Sequence, residues 1–303
     1  MNVARVCTLL IVVTAVAAGA LADWIPEDGH KMHFPQLPDP EGWDVGFWWE
    51  EATQGMRMSN MLADDWQCSE TGEVTDLHFW VSMQGDLEPQ EPGMPLPFTI
   101  HTIEFSFYKD LPADPDQGRL YSMPGERIRT YLASNADAFS VRWVGDGPQG
   151  WYNPGSGEHV PPLDDPPDHI NIYQVNIPDL PEPFTQNEGE IYWVQLDVWA
   201  SDLQGEMARL GWKTADLRAY PDPFTGQSFM DDAVYMEWEY IEGTTGPGYY
   251  EMGEYQELIL PPDASGISRD LAFVITPEPA TLALMGLGLA GIAAVRRRRC
   301  NHK

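Results

Sequence analysis

Residues Glu190 to Ala200 read EIYWVQLDVWA, and the alternation inside them decides the fold. Tyr192, Val194, Leu196 and Val198 fall on one face of an extended chain, with Gln195 and Asp197 on the other. That is the period-two pattern of a strand covering a core on one side and meeting solvent on the other.

Six further runs of the same character surround it: VTDLHFWVSM (Val74 to Met83), TIHTIEFSFY (Thr99 to Tyr108), AFSVRWV (Ala138 to Val144), HINIYQVNI (His169 to Ile177), AVYMEWEY (Ala233 to Tyr240) and LAFVI (Leu271 to Ile275). All are rich in β-branched or aromatic residues, and helical periodicity is nearly absent. The joints, such as DLEPQEPGMPLP and GDGPQGWYNPGSGEHVPPLDDPPD, are crowded with proline and glycine, which suits loops that donate no ladder hydrogen bond. The pattern predicts an all-β chain, an antiparallel β-sandwich with jelly-roll-like connections, forming a single domain from Asp23 to Thr276.

The 303 residues include 47 acidic and 17 basic side chains, a formal net charge of −30. Every acidic residue except Glu278 lies between Asp23 and Thr276, whereas Arg5, Arg296 to Arg299 and Lys303 lie outside that span. Such a surface has no basic groove to neutralise phosphates, which excludes nucleic acid as a partner. Cys68 is the one cysteine within the span, so no internal disulfide forms there, and stability rests on packing or on bound ions. Asp64–Asp65 and Asp231–Asp232 are two adjacent carboxylate pairs. Calcium takes roughly six to eight oxygen ligands, so two such pairs on loops would make a structural calcium site, the one cofactor the sequence suggests. Turn caps and solvated surface charge account for the same pairs without an ion.

Signatures of catalysis are missing. There is no G-x-S-x-G elbow, no H-E-x-x-H and no glycine-rich phosphate loop, and His30 and His33 lack a third ligand in sequence. Glu104 or Asp197 would serve as one of two glycosidase carboxylates held roughly 5 to 10 Å apart, an assignment that any acid-rich chain offers. The aromatic content points further. Sugar rings stack on aromatic planes, and the chain has 12 tryptophans and 12 tyrosines. Trp80, Trp143, Trp193 and Trp199 sit within strand runs, where core packing explains them. Trp151 and Tyr152, set between glycines and a proline, are predicted on a loop and are the ligand-binding candidates.

The termini give an address. Met1 to Ala22, MNVARVCTLLIVVTAVAAGALA, places Arg5 before an apolar run and small residues at Ala20 and Ala22, the parts of a signal peptide cleaved after Ala22. At the far end, Pro277-Glu278-Pro279 precedes apolar Ala280 to Val295 and then Arg296, Arg297, Arg298 and Arg299, a short transmembrane helix over 280–295 with its arginines on the cytoplasmic side. This tripartite ending over 277–303 resembles the PEP-CTERM sorting signal. The resemblance implies passage through export machinery, processing by an exosortase-like membrane protease near the proline-glutamate-proline motif, and a destination in the cell envelope or an extracellular polysaccharide matrix.

Within the domain, LADDWQC (Leu62 to Cys68), VTDLHFWVSMQGD (Val74 to Asp86), YSMPGE (Tyr121 to Glu126), YQVNIPDLPEPFTQNEGEIYWVQLDV (Tyr173 to Val198), LGWKTA (Leu210 to Ala215) and MDDAVY (Met230 to Tyr235) resemble an uncharacterised family of exported domains from environmental bacteria such as planctomycetes. The expectation is a noncatalytic exported envelope or matrix protein. A polysaccharide-binding module is the alternative, ahead of a glycan-active hydrolase.

Overall fold

The computed structural model describes residues 23–25, 29–51, 56–134, 138–162, 164–216, 233–241, 248–251, 253–261 and 269–276. Along the chain the strands are β1 (Trp43–Gly46), β2 (Trp48–Glu51), β3 (Met56–Gln67), β4 (Gly72–Val74), β5 (Asp76–Met83) and β6 (Phe98–Leu111). Next come β7 (Met123–Ala133), β8 (Ser140–Asn153), β9 (Glu158–Val160), β10 (His169–Ile177), β11 (Phe184–Gln186) and β12 (Ile191–Asp202). The last are β13 (Leu210–Lys213), β14 (Val234–Ile241), β15 (Gly248–Glu251), β16 (Gln256–Glu257) and β17 (Phe273–Thr276).

The strands form two large sheets, with β4 and β11 as a small separate pair. One sheet runs β15-β14-β3-β12-β6-β7, with β16 on β14 and β2 on β3. The other runs β1-β13-β5-β10-β8-β9, with β17 on β5, and its pairings are antiparallel with one exception. That exception is a parallel pairing of β1 with β8, in which Trp43, Asp44 and Val45 face Gly150, Trp151 and Tyr152. It joins the ends of β1-β13-β5-β10-β8 into a closed five-strand ring, which removes the exposed edges of those segments.

The antiparallel sandwich expected from the sequence is the architecture observed. Trp66 on β3 meets Phe273 on β17 edge-on with ring centroids 5.9 Å apart, and Phe98 on β6 meets Tyr173 on β10 at 4.9 Å. These contacts join the two sheets across a core that includes Phe79, Phe105, Phe107, Val194, Leu196 and Trp212. The Trp66 indole N–H, buried with the ring, donates to Gln186 Oε1 at 3.0 Å. An aromatic pair supplies large buried area, and its edge-to-face geometry adds about 1 kcal/mol beyond that area.

The seven expected strands are present as β5, β6, β8, β10, β12, β14 and β17. Two expectations need correction. On β12 the face carrying Gln195 and Asp197 is buried rather than solvated. Tyr108 and Tyr255 donate their hydroxyls to Gln195 Oε1, and Trp193, Ala63 and Val234 pack beside them in a second small cluster. Residues 145 to 153, read as a loop, continue β8 to Asn153. Gly147 and Gly150 suit crowding rather than turning, since a Cβ on Gly147 would stand 2.3 Å from the Pro40 carbonyl oxygen and one on Gly150 2.6 Å from Pro162 Cδ.

Candidate functional site

The structure redistributes the sequence-predicted site residues. Trp151 lies in β8 and is 0% exposed, so it is a ring-interior residue and offers no face to a sugar. Gly46 and Gly211 make room for its indole, because a Cβ at either position would come within 2.6 Å and 2.9 Å of the ring. The adjacent Tyr152 is half-buried and packs against the main core. Asp64 and Asp65 are in β3, fully buried, and successive strand residues point to opposite faces. One oxygen of Asp64 accepts from the Asp65 amide at 2.7 Å and the other from the Leu271 amide, so this carboxylate serves backbone donors. Asp231 and Asp232 lie outside the described residues, and among the described residues no cluster of His, Cys, Asp and Glu is arranged to hold a metal ion.

The strand register sets Asp197 directly opposite Glu104, bringing together the two carboxylates that a hydrolytic role would draft. Asp197 accepts from Ser59 Oγ at 3.2 Å, and burial pushes the Glu104 carboxyl up against the opposing effect of Arg127.

Two constellations that sequence reasoning missed are better built. The first is a groove of about 750 Å³ over β5, β8 and β10, walled by Trp24, Trp80 and Trp143 and overhung by Met94 and Leu96 of the β5–β6 loop. Trp24 and Trp80 meet edge-on at 6.0 Å. Trp24 is fixed through its backbone: its amide donates to Asn176 Oδ1 at 3.3 Å, and its carbonyl accepts from Arg142 Nη2 and Gln174 Nε2, each at 3.0 Å. Thus the second residue after the expected leader forms one wall of the groove. No Asp or Glu among the described residues lines it.

The second constellation sits inside the closed ring. The Asp44 and Lys213 side chains are fully buried on neighbouring strands, in direct register, with Lys213 Nζ donating to Asp44 Oδ2 at 3.0 Å. His169 donates to the same Oδ2 from Nε2 and to Asp168 Oδ1 from Nδ1, both at 2.8 Å. Burial pushes the His169 imidazolium down, but the two carboxylates outweigh it and hold the group above its ordinary value. Burial likewise pushes Asp44 up, and Lys213 with His169 brings it below the usual carboxylate range. For Lys213 burial wins and lowers the ammonium despite its partner. Trp151 meets the His169 ring edge-on at 6.2 Å, and Gln149, which accepts from Ser82 Oγ, stands opposite His169 in register.

The fold and the chain ends define an all-β domain of the exported class that ends in a surface-sorting signal. The chain belongs to the family described as domain of unknown function (DUF7901), whose model matches residues 32–276, and residues 276–299 match the PEP-CTERM protein-sorting motif. No curated protein and no solved structure matches it. Pro277, Glu278, Pro279, the expected helix over 280–295, Arg296 to Arg299 and the leader Met1 to Ala22 lie outside the described residues. Among the described residues no helix is long and apolar enough to cross a membrane.

Proposed function

We propose that the domain is a noncatalytic component of the cell envelope or extracellular matrix that grips an extracellular polysaccharide in the groove of Trp24, Trp80 and Trp143. The observation that supports this is the cavity in which the partly exposed Trp143 ring stands over the buried indoles of Trp24 and Trp80, an aromatic face of the kind that stacks on the apolar side of a sugar ring. Among the described residues the lining has no carboxylate to protonate or attack a glycosidic bond, in keeping with binding without turnover. A net charge of −30 repels polyanions at long range, so the glycan this surface suits is uncharged. Trp143 is only partly buried, and its replacement by alanine is expected to weaken retention on the host's extracellular polysaccharide about tenfold or more while leaving the thermal melt nearly unchanged. Affinity electrophoresis checks this, and equal retention of Trp143→Ala and parent removes the groove from the reading.

On this reading the protein reaches its site by exosortase-like processing, with the tail as its transient membrane anchor. Intact-mass measurement on protein from the native host is expected to show loss of both Met1 to Ala22 and the Ala280 to Lys303 tail. Converting Pro277, Glu278 and Pro279 to alanines is expected to hold an unprocessed form in the membrane, because it removes the proline-glutamate-proline motif near which cleavage is proposed. Envelope protein still carrying Arg296 to Arg299 would reject processing and leave a permanent anchor.

A further inference from the structure

We propose that Lys213 and Asp44 become joined side chain to side chain by an amide bond that the folded domain forms itself, so that the ring carries a covalent cross-strand staple. The reacting groups are already in contact, Nζ lying 3.0 Å from Oδ2, although the two residues are 169 positions apart in the chain. Both side chains have 0% exposure and come from strands paired in register, which holds the amine and the carboxyl group together as an intramolecular pair.

The condensation balances without an oxidant or a cofactor. Lys213 as ammonium brings three N–H bonds and Asp44 as carboxylate brings two oxygens. A new Nζ–Cγ bond forms, the Cγ–Oδ2 bond breaks, two of the ammonium protons leave with Oδ2 as water, and the third stays on the amide nitrogen. His169 is the catalytic residue, since its Nε2 touches the departing oxygen at 2.8 Å. It delivers a proton to Oδ2 as that bond breaks and is recharged by the proton Nζ must shed. Oδ1 has no hydrogen-bond partner and remains as the amide carbonyl. Two buried N–H donors of the ring, Gln149 Nε2 and Trp151 Nε1, also lack acceptors, and Trp151 stands opposite Asp44 in register.

Three features favour the reaction. Burial lowers the Lys213 ammonium, which raises the fraction of nucleophilic amine. Condensation replaces a costly buried ion pair with a neutral amide. The domain's own cysteine, Cys68, is free and buried, so an exported domain without a disulfide gains its one covalent closure here.

The test is peptide mass spectrometry on the full-length chain purified in folded form. Trypsin does not cut after an acylated lysine, so the expected product is a branched peptide joining the segments around Asp44 and Lys213, lighter than their sum by one water. Recovery of separate peptides, with cleavage after Lys213, overturns the proposal and leaves an ordinary ion pair. Lys213→Arg is expected to abolish the branched product, and a water deficit that persists in that variant would place the loss elsewhere and likewise overturn it. Folded His169→Gln is expected to accumulate unlinked chain, whereas linkage to the parental extent would strike the histidine from the mechanism.

Discussion

Trp151→Ala is expected to destabilise the domain by about 3 to 5 kcal/mol, the range for deleting a large aromatic side chain from a packed interior. The indole is 0% exposed, Gly46 and Gly211 press against it, and the His169 ring meets it edge-on at 6.2 Å. Neither glycine has a side chain that could move into the space, so the cavity stays open and the loss falls toward the upper end. Arg209, whose guanidinium lies 5.5 Å from the ring centroid, would lose its cation–π partner as well. Urea denaturation of parent and variant measures the difference through the midpoint at unchanged slope. A loss below about 1 kcal/mol would mean that the residue is an open surface platform after all.

The second large effect is expected from Lys213→Met, which leaves the Asp44 carboxylate inside the ring with His169 as its remaining charged partner. Whether the parent holds the two groups as ions or as the proposed amide, the variant leaves a buried carboxylate that keeps its desolvation penalty, and a buried pair broken from one side costs about 3 to 5 kcal/mol. The pH dependence has a definite sign. In the unlinked parent, against the upward push of burial, Lys213 with His169 holds the Asp44 carboxyl below its ordinary value, a contribution to stability that is present at neutral pH and lost as the pH falls through the folded value. Removing Lys213 removes its share of that contribution, so the variant's deficit against the parent narrows in acid. Melts at neutral pH and below the ordinary carboxylate value check this, and a deficit that is small or widens in acid would show that water reaches the cluster.

Much of the framework was legible because strand periodicity is local. Tyr192, Val194, Leu196 and Val198 announce β12 without help from the rest of the chain, and each of them is buried. Ring closure was not legible. It depends on WDVG meeting GWYN in parallel, and segments of that length carry no periodic signal, while the glycines and prolines around the second read as a turn. The groove was hidden for a different reason: Trp24, Trp80 and Trp143 converge only after β5, β8 and β10 align. Nor could the burial of Asp44, His169 and Lys213 be read from residue type, since charged residues default to the surface. One sign was available in LGWKTA, where Lys213 interrupts an apolar run beside Trp212.

The seat of β17 decides how the domain bears a mechanical load. Phe273 to Thr276 pair with Phe79 to Asp76 on one edge, while Gln36 bridges Phe273 and the Lys31 amide donates to the Ile275 carbonyl on the other. The match to the sorting motif begins at residue 276, the last residue of β17. A pull applied at Thr276 therefore loads two rows of backbone hydrogen bonds together and passes straight into the core through Phe273 and Ile275. Because β17 is clamped on both sides, tension at its end draws on the strength of the whole sheet before it can peel the strand away.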